Sequence, residues 1–342
     1  MKRILIVLSA CLTCASFAQS TPQYKIAEKI KVEGEGGWDY LIADETSDRL
    51  FISHGTVVQV LNTKTKKTEA TIPDTKGVHG IALAHDLNKG FISNGRDTSV
   101  TVFDLKTLQT LGKIKITGIN PDAILYDKFS KKVFVYNGRS KNATVIDAKT
   151  DKVLETIALE GKPEFSVTDE NGKIYVNIED KNQVTVINAT TLKIEGTWPI
   201  TGGEEPTGLA LDNKTHRLFT VCGNKVMVVM DAINGKVITS APIGDGCDGV
   251  AFDAALKRVY SSNGEGTVTV IQQENENTYK VLETISTQKG ARTICVNAKS
   301  HHIYLPAAEY EEAPSEPATG GQQKRPKVKT GSFVIIDVEP VK

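Results

Sequence analysis

Seven polar residues, Asp39, His79, Asp122, Glu164, Thr207, Asp248 and Arg292, follow one another at steps of 40, 43, 42, 43, 41 and 44 residues. Four carboxylates, an imidazole, a hydroxyl and a guanidinium would make a site if the fold gathers them. Carboxylate oxygens suit calcium or magnesium, and an imidazole extends the choice to zinc or manganese. Asp39, His79, Asp122, Glu164 and Asp248 are therefore candidate ligands of a divalent cation. His79 or Glu164 would serve as general acid or base, and Arg292 would grip a substrate carboxylate or phosphate with two parallel hydrogen bonds. Carboxylates brought together would raise one another's proton affinity unless a cation or Arg292 offsets them.

Each of these residues stands just before a short apolar segment, and each opens a copy of the same unit. The clearest copy runs from Gly77-Val78-His79-Gly80-Ile81-Ala82-Leu83 through Phe91-Ile92-Ser93-Asn94-Gly95-Arg96 to Val100-Thr101-Val102-Phe103-Asp104. A period of about 40 to 50 residues carrying four short β segments indicates the blades of a propeller. The expected fold is all-β, a seven-bladed ring. Residues Tyr24 to Val32 alternate apolar and polar side chains and resemble a fourth strand with no blade before it, while the last repeat stops after its third strand, Phe333 to Asp337. The N-terminal strand should thus complete the seventh blade and close the ring.

In such a ring the first strands line the axis, and the seven polar residues converge at one mouth of the channel. Loops between second and third strands should add His54, Asn94, Arg96, Asn137, Arg139, Glu179, Asp180, Asn224, Asn263 and Glu265. Candidate ligand-binding residues are the seven together with Trp38, Arg96 and Arg139. Trp38, beside Asp39 and Tyr40, has two readings, an aromatic wall or core at the closure. Two further series are uniform: third strands end in Asn62, Asp104, Asp147, Asn188, Asp231, Gln272 and Asp337, and Asp44, Ala84, Asp127, Asp169, Asp212, Asp253 and Asn297 lie five residues past the mouth position. Asp and Asn there suit turns, because their side chains accept nearby backbone N–H groups. Gly95 and Gly138 follow Asn and are read as turn residues rather than phosphate cradles. The interval from Gln272 to Asp337 carries an insertion, 307–330, acidic at its start and basic at Lys324 to Lys329, read as a long mobile loop beside the mouth.

Lys2-Arg3, an apolar run from Ile4, and Ser16-Phe17-Ala18 have the anatomy of a secretory signal over residues 1–18, leaving a single domain over 19–342 in the periplasm or outside the cell. The alternative is a lipoprotein acylated at Cys11. Basic and acidic residues both number 41, so net charge makes no case for nucleic acid. Past the signal, Cys222, Cys247 and Cys295 form no zinc or haem motif; they are read as buried small apolar side chains, with one disulfide, Cys222 to Cys247, left open as the pair that could meet.

Val133-Phe134-Val135-Tyr136-Asn137 before Ala143-Thr144-Val145-Ile146-Asp147, and Ile174-Tyr175-Val176-Asn177 before Val184-Thr185-Val186-Ile187-Asn188, resemble the repeats of the YVTN-repeat (YncE-like) seven-bladed β-propeller family. The resemblance runs from residue 24 to 338. It implies an exported propeller; some members are credited with DNA binding, and related rings include lactone-processing enzymes and lyases. The chain departs from the pattern at Val221-Cys222-Gly223-Asn224 and in the insertion. The preferred function is a binding or interaction module, monomeric, holding a small ligand or protein partner at the mouth, with no certain cofactor beyond a divalent cation. The alternatives are a lactonase- or lyase-like enzyme at the same mouth and a binder of single-stranded DNA through Arg96, Arg139 and the basic segment.

Overall fold

The computed structural model describes residues 23–311 and 327–341. The expected signal segment, with Cys11, lies outside them, as do Lys324 and Arg325. The second strand of each blade, such as Lys132–Asn137, and the third, such as Asn142–Asp147, are runs of Val, Ile, Phe and Tyr buried on both faces. Outer strands such as Thr110–Lys115 are mostly exposed and rich in Thr and Lys. A strand buried on both faces needs a sheet on either side. The described chain accordingly forms seven four-stranded antiparallel sheets, a seven-bladed β-propeller.

The first strands, Trp38–Ala43, Val78–Ala84, Pro121–Asp127, Pro163–Thr168, Pro206–Asp212, Cys247–Asp253 and Cys295–Val296, surround the axis. Tyr24–Lys31 pairs antiparallel with Val334–Pro340 as the outer strand of blade seven, closing the ring as expected. A further tie reaches blade six, where Tyr24 Oη lies 2.7 Å from Tyr260 Oη and accepts a hydrogen bond from Arg258 at 2.8 Å.

Both turn series act as local clamps. Asp104 Oδ1 accepts the N–H groups of Lys106 and Thr107, and Asp147 and Asn188 repeat the pattern. On the face opposite the mouth, Asp253 accepts from Ala255 and Leu256, and Asn297 from Lys299 and Ser300.

The insertion is more ordered at its base than a loop. Ala307 is the last residue of the strand Ile303–Ala307. Tyr310 and Val328 form a bridge, with Glu311 N–H donating to Lys327 O and Lys329 N–H to Glu309 O. The acidic start and basic end explain this stem, because they pair as Lys329–Glu309 and Lys327–Glu311.

Candidate functional site

A backbone irregularity aims the seven residues inward. In six of the seven first strands the register slips at the mouth position: between Trp38 and Leu41, Val78 and Ile81, Pro121 and Ile124, Pro163 and Ser166, Pro206 and Leu209, and Cys247 and Gly249. Such a bulge leaves a residue unpaired and turns its side chain out of the regular alternation. Hydrogen bonds from the preceding blade fix the result. Ser93 Oγ bonds the carbonyl of Asp122, Asn177 Nδ2 donates to Thr207 O at 3.0 Å, and Ser262 Oγ donates to Arg292 O at 2.5 Å. Thr293 Oγ1 donates to Asp39 O at 2.6 Å, tying blade seven to blade one.

Five of the seven side chains gather in two linked groups, and Glu164 stands beside them with a lysine. His79 Nδ1 is 2.6 Å from Asp39 Oδ2 and 3.6 Å from Asp122 Oδ1. An ionised carboxylate only accepts, so Nδ1 carries the proton donated to Asp39. Arg292 lies 3.7 Å from the other Asp39 oxygen and bonds Asp248. Lys162 bonds Glu164 at 2.5 Å and also Glu179. Thr207 stays out of these groups, its hydroxyl directed at the carbonyls of Val221 and Cys247.

Burial pushes the Asp122 carboxyl up to about 6, with the charge of Asp39 adding to the effect while His79, Lys162 and Arg292 oppose it. Burial and then the charge of Asp122 raise Glu164 to about 7 against Lys162. Burial disfavours the His79 cation, yet its hydrogen bond to Asp39 and the charges of Asp122 and Asp39 outweigh that and raise its pKa. Tyr40, beneath the carboxylates, is raised by burial and by Asp122, Asp39 and Glu164 in turn. Burial thus pushes two carboxyls of the mouth, Asp122 and Glu164, toward neutral pH.

For a metal, one atom each from Asp39, His79 and Asp122 lie within 4.8 Å of one another. Two carboxylates and an imidazole suit zinc or manganese. Glu164 and Asp248 do not join that triad; Lys162 and Arg292 hold them.

Several expected mouth residues lie elsewhere. Asn94, Asn137 and Asn263 end their second strands and are buried inside their blades, donating to third-strand hydroxyls of Thr101, Thr144 and Thr269. His54 is buried too, bonded to Gln59 at 2.8 Å, and burial lowers its pKa. Trp38 packs against Phe333 and Tyr310, the core side of its two readings. Arg96 is exposed and folds over Gly77; Arg139 is exposed on the next blade. Gly95 and Gly138 do lie in turns, but the left-handed residues there are Thr98 and Lys141. Gly95 is small for another reason: a Cβ would sit 2.7 Å from His79 Nε2.

Lys162 and the bulge-holding Ser93, Asn177, Ser262 and Thr293 were not legible as site residues. Lys162 alone had a signal, standing two residues before Glu164 in a segment with its side chains on one side.

The scaffold is a seven-bladed β-propeller with a cluster of partly buried acidic side chains at one end of its axis. No protein-family model matches the chain, and no curated protein matches it. Among solved structures it is similar in fold to Kuenenia stuttgartiensis hydrazine synthase, at 16% identity and a TM-score of 0.67, over 78% of this chain and 91% of that one.

Proposed function

We propose that the chain is an exported propeller of the YVTN-repeat (YncE-like) kind that binds a small ligand at the polar mouth through a cationic or metal-coordinating group. The observation that carries this is the meeting of Asp39, His79 and Asp122, from three different blades, around one imidazole nitrogen. Asp122 and Glu164 hold their protons more tightly than free carboxyls, so a cation brought to the mouth would gain from their ionisation. Lys2-Arg3, the apolar run and Ser16-Phe17-Ala18 support export. A second reading, a lactonase- or lyase-like enzyme, is favoured by the His79–Asp39 hydrogen bond and by carboxyls poised near 6 and 7, where general acids and bases work. Binding of single-stranded DNA draws less support, since Lys327 and Lys329 are engaged by Glu311 and Glu309.

Thermal-shift and calorimetric screens with divalent ions, amines, sugars and lactones test the reading. A hit on the wild-type chain should vanish in the combined Asp39→Ala, His79→Ala, Arg292→Ala variant. Binding that survives the triple substitution would place the ligand elsewhere. Bound stoichiometric metal whose removal abolishes turnover would favour the enzyme reading.

A further inference from the structure

Below the mouth, the channel is a separate compartment. One residue beyond the mouth position, five of the first strands carry Gly, Ala or Thr, but blade one carries Tyr40 and blade four Phe165. Their ring centroids are 5.4 Å apart with planes inclined at 46°. Blades one and four face each other across the axis, so the two rings together bridge the channel. Above them are the charges of Asp39, Asp122 and Glu164, which Tyr40 feels. Below them is a cavity of about 420 Å³ with no charged residue in its lining.

Ile42, Leu83, Leu125, Val167 and Leu211 line that cavity and are only half-buried by protein. Interiors are otherwise close-packed, and an apolar side chain facing a void loses its contacts on that side. The far end reaches Tyr126 and Thr168, whose hydroxyls already donate to Asp86 and Asp127 near the turns of the opposite face. No free charge is offered to an ionic ligand there. The volume falls in the range of small-molecule pockets, and apolar cavities of this kind take up apolar guests.

We propose that this chamber is a second binding site, for a neutral, largely apolar molecule of one or two rings, reached from the face opposite the carboxylates. It stands apart from the reading of the mouth.

The test is a fluorescence titration of the full chain with N-phenylnaphthylamine, a neutral two-part aromatic that brightens in apolar surroundings. Saturable binding of one probe per chain is expected, unchanged within about twofold in the Asp39→Ala, His79→Ala, Arg292→Ala variant. Leu83→Trp and Ala251→Phe, which fill the chamber from blades two and six, should each weaken it at least tenfold while melting curves show the fold intact. A crystal soaked with bromonaphthalene gives a readout without any substitution, with bromine expected inside the chamber. The inference fails if no saturable binding appears, if binding survives in both filled and folded variants, if bromine lies only elsewhere, or if the mouth substitutions abolish binding.

Discussion

Replacing Asp122 by Asn should flatten the dependence of stability on pH. In the wild-type protein burial, with the charge of Asp39 adding to it, lifts this carboxyl from 3.8 to about 6. A carboxyl whose folded pKa exceeds its unfolded value binds more protons when folded, so stability falls as pH rises from about 4 to about 6 and the loss persists above that. At about 1.4 kcal/mol per pK unit, the full loss is about 3 kcal/mol. The side chain is 20% exposed, so solvent screening trims this figure only modestly. An amide has the shape of the protonated carboxyl and cannot ionise. His79 acts in the same direction: its raised pKa gives stability at low pH that is lost as pH climbs through the folded value, and the charge of Asp122 is one cause of that rise. Removing Asp122 therefore weakens both slopes. Urea denaturation with a metal chelator present should show variant and wild type nearly equal at about pH 4, and the variant more stable by up to about 3 kcal/mol at about pH 8. Parallel stability curves for the two proteins across that range would refute the argument.

Two further outcomes follow from how the ring is held. Thr293→Val keeps the shape of a buried side chain but leaves the carbonyl of Asp39 without its donor; the expected cost is about 1–3 kcal/mol in chemical denaturation, together with weaker binding of whatever ligand the mouth takes. Deleting the N-terminal residues through Lys31 uncovers the edge of Val334–Pro340. That variant should aggregate or melt at lower temperature by light scattering and calorimetry, because an unpaired edge recruits other strands.

The architecture was legible because a repeat writes the same instruction several times. Asp104, Asp147 and Asn188 perform one local task, accepting two backbone N–H groups two and three residues on, so their spacing alone reveals them. The mouth positions were legible for the same reason, as a fixed place in each copy. What the repeat could not reveal was where a strand gives way to a loop. Asn94, Asn137 and Asn263 lie one residue inside that boundary, and the single residue turns a solvent-facing site group into a buried internal strut. Contacts between copies were equally hidden. Ser93, Asn177 and Ser262 look like ordinary strand residues until the next blade's carbonyl is set against them.

The asymmetry of the mouth has a physical origin in this difference between local and inter-blade tasks. A turn residue meets its own chain and so meets the same partners in every copy. A mouth residue meets whatever its neighbours around the axis carry: Asp39 has His79 on one side and Arg292 on the other, whereas Asp248 has Arg292 alone. Between blades four and six the circuit of charge is broken, because Thr207 directs its hydroxyl at backbone carbonyls. The carboxylates with raised pKa values belong to blades three and four, and the imidazole to blade two. The groups with shifted pKa values are therefore spread unevenly around the axis, over the bridge that Tyr40 and Phe165 make between blades one and four. One face of that bridge meets ionisable groups and the other an apolar chamber, which is why a single channel presents two environments of opposite chemistry.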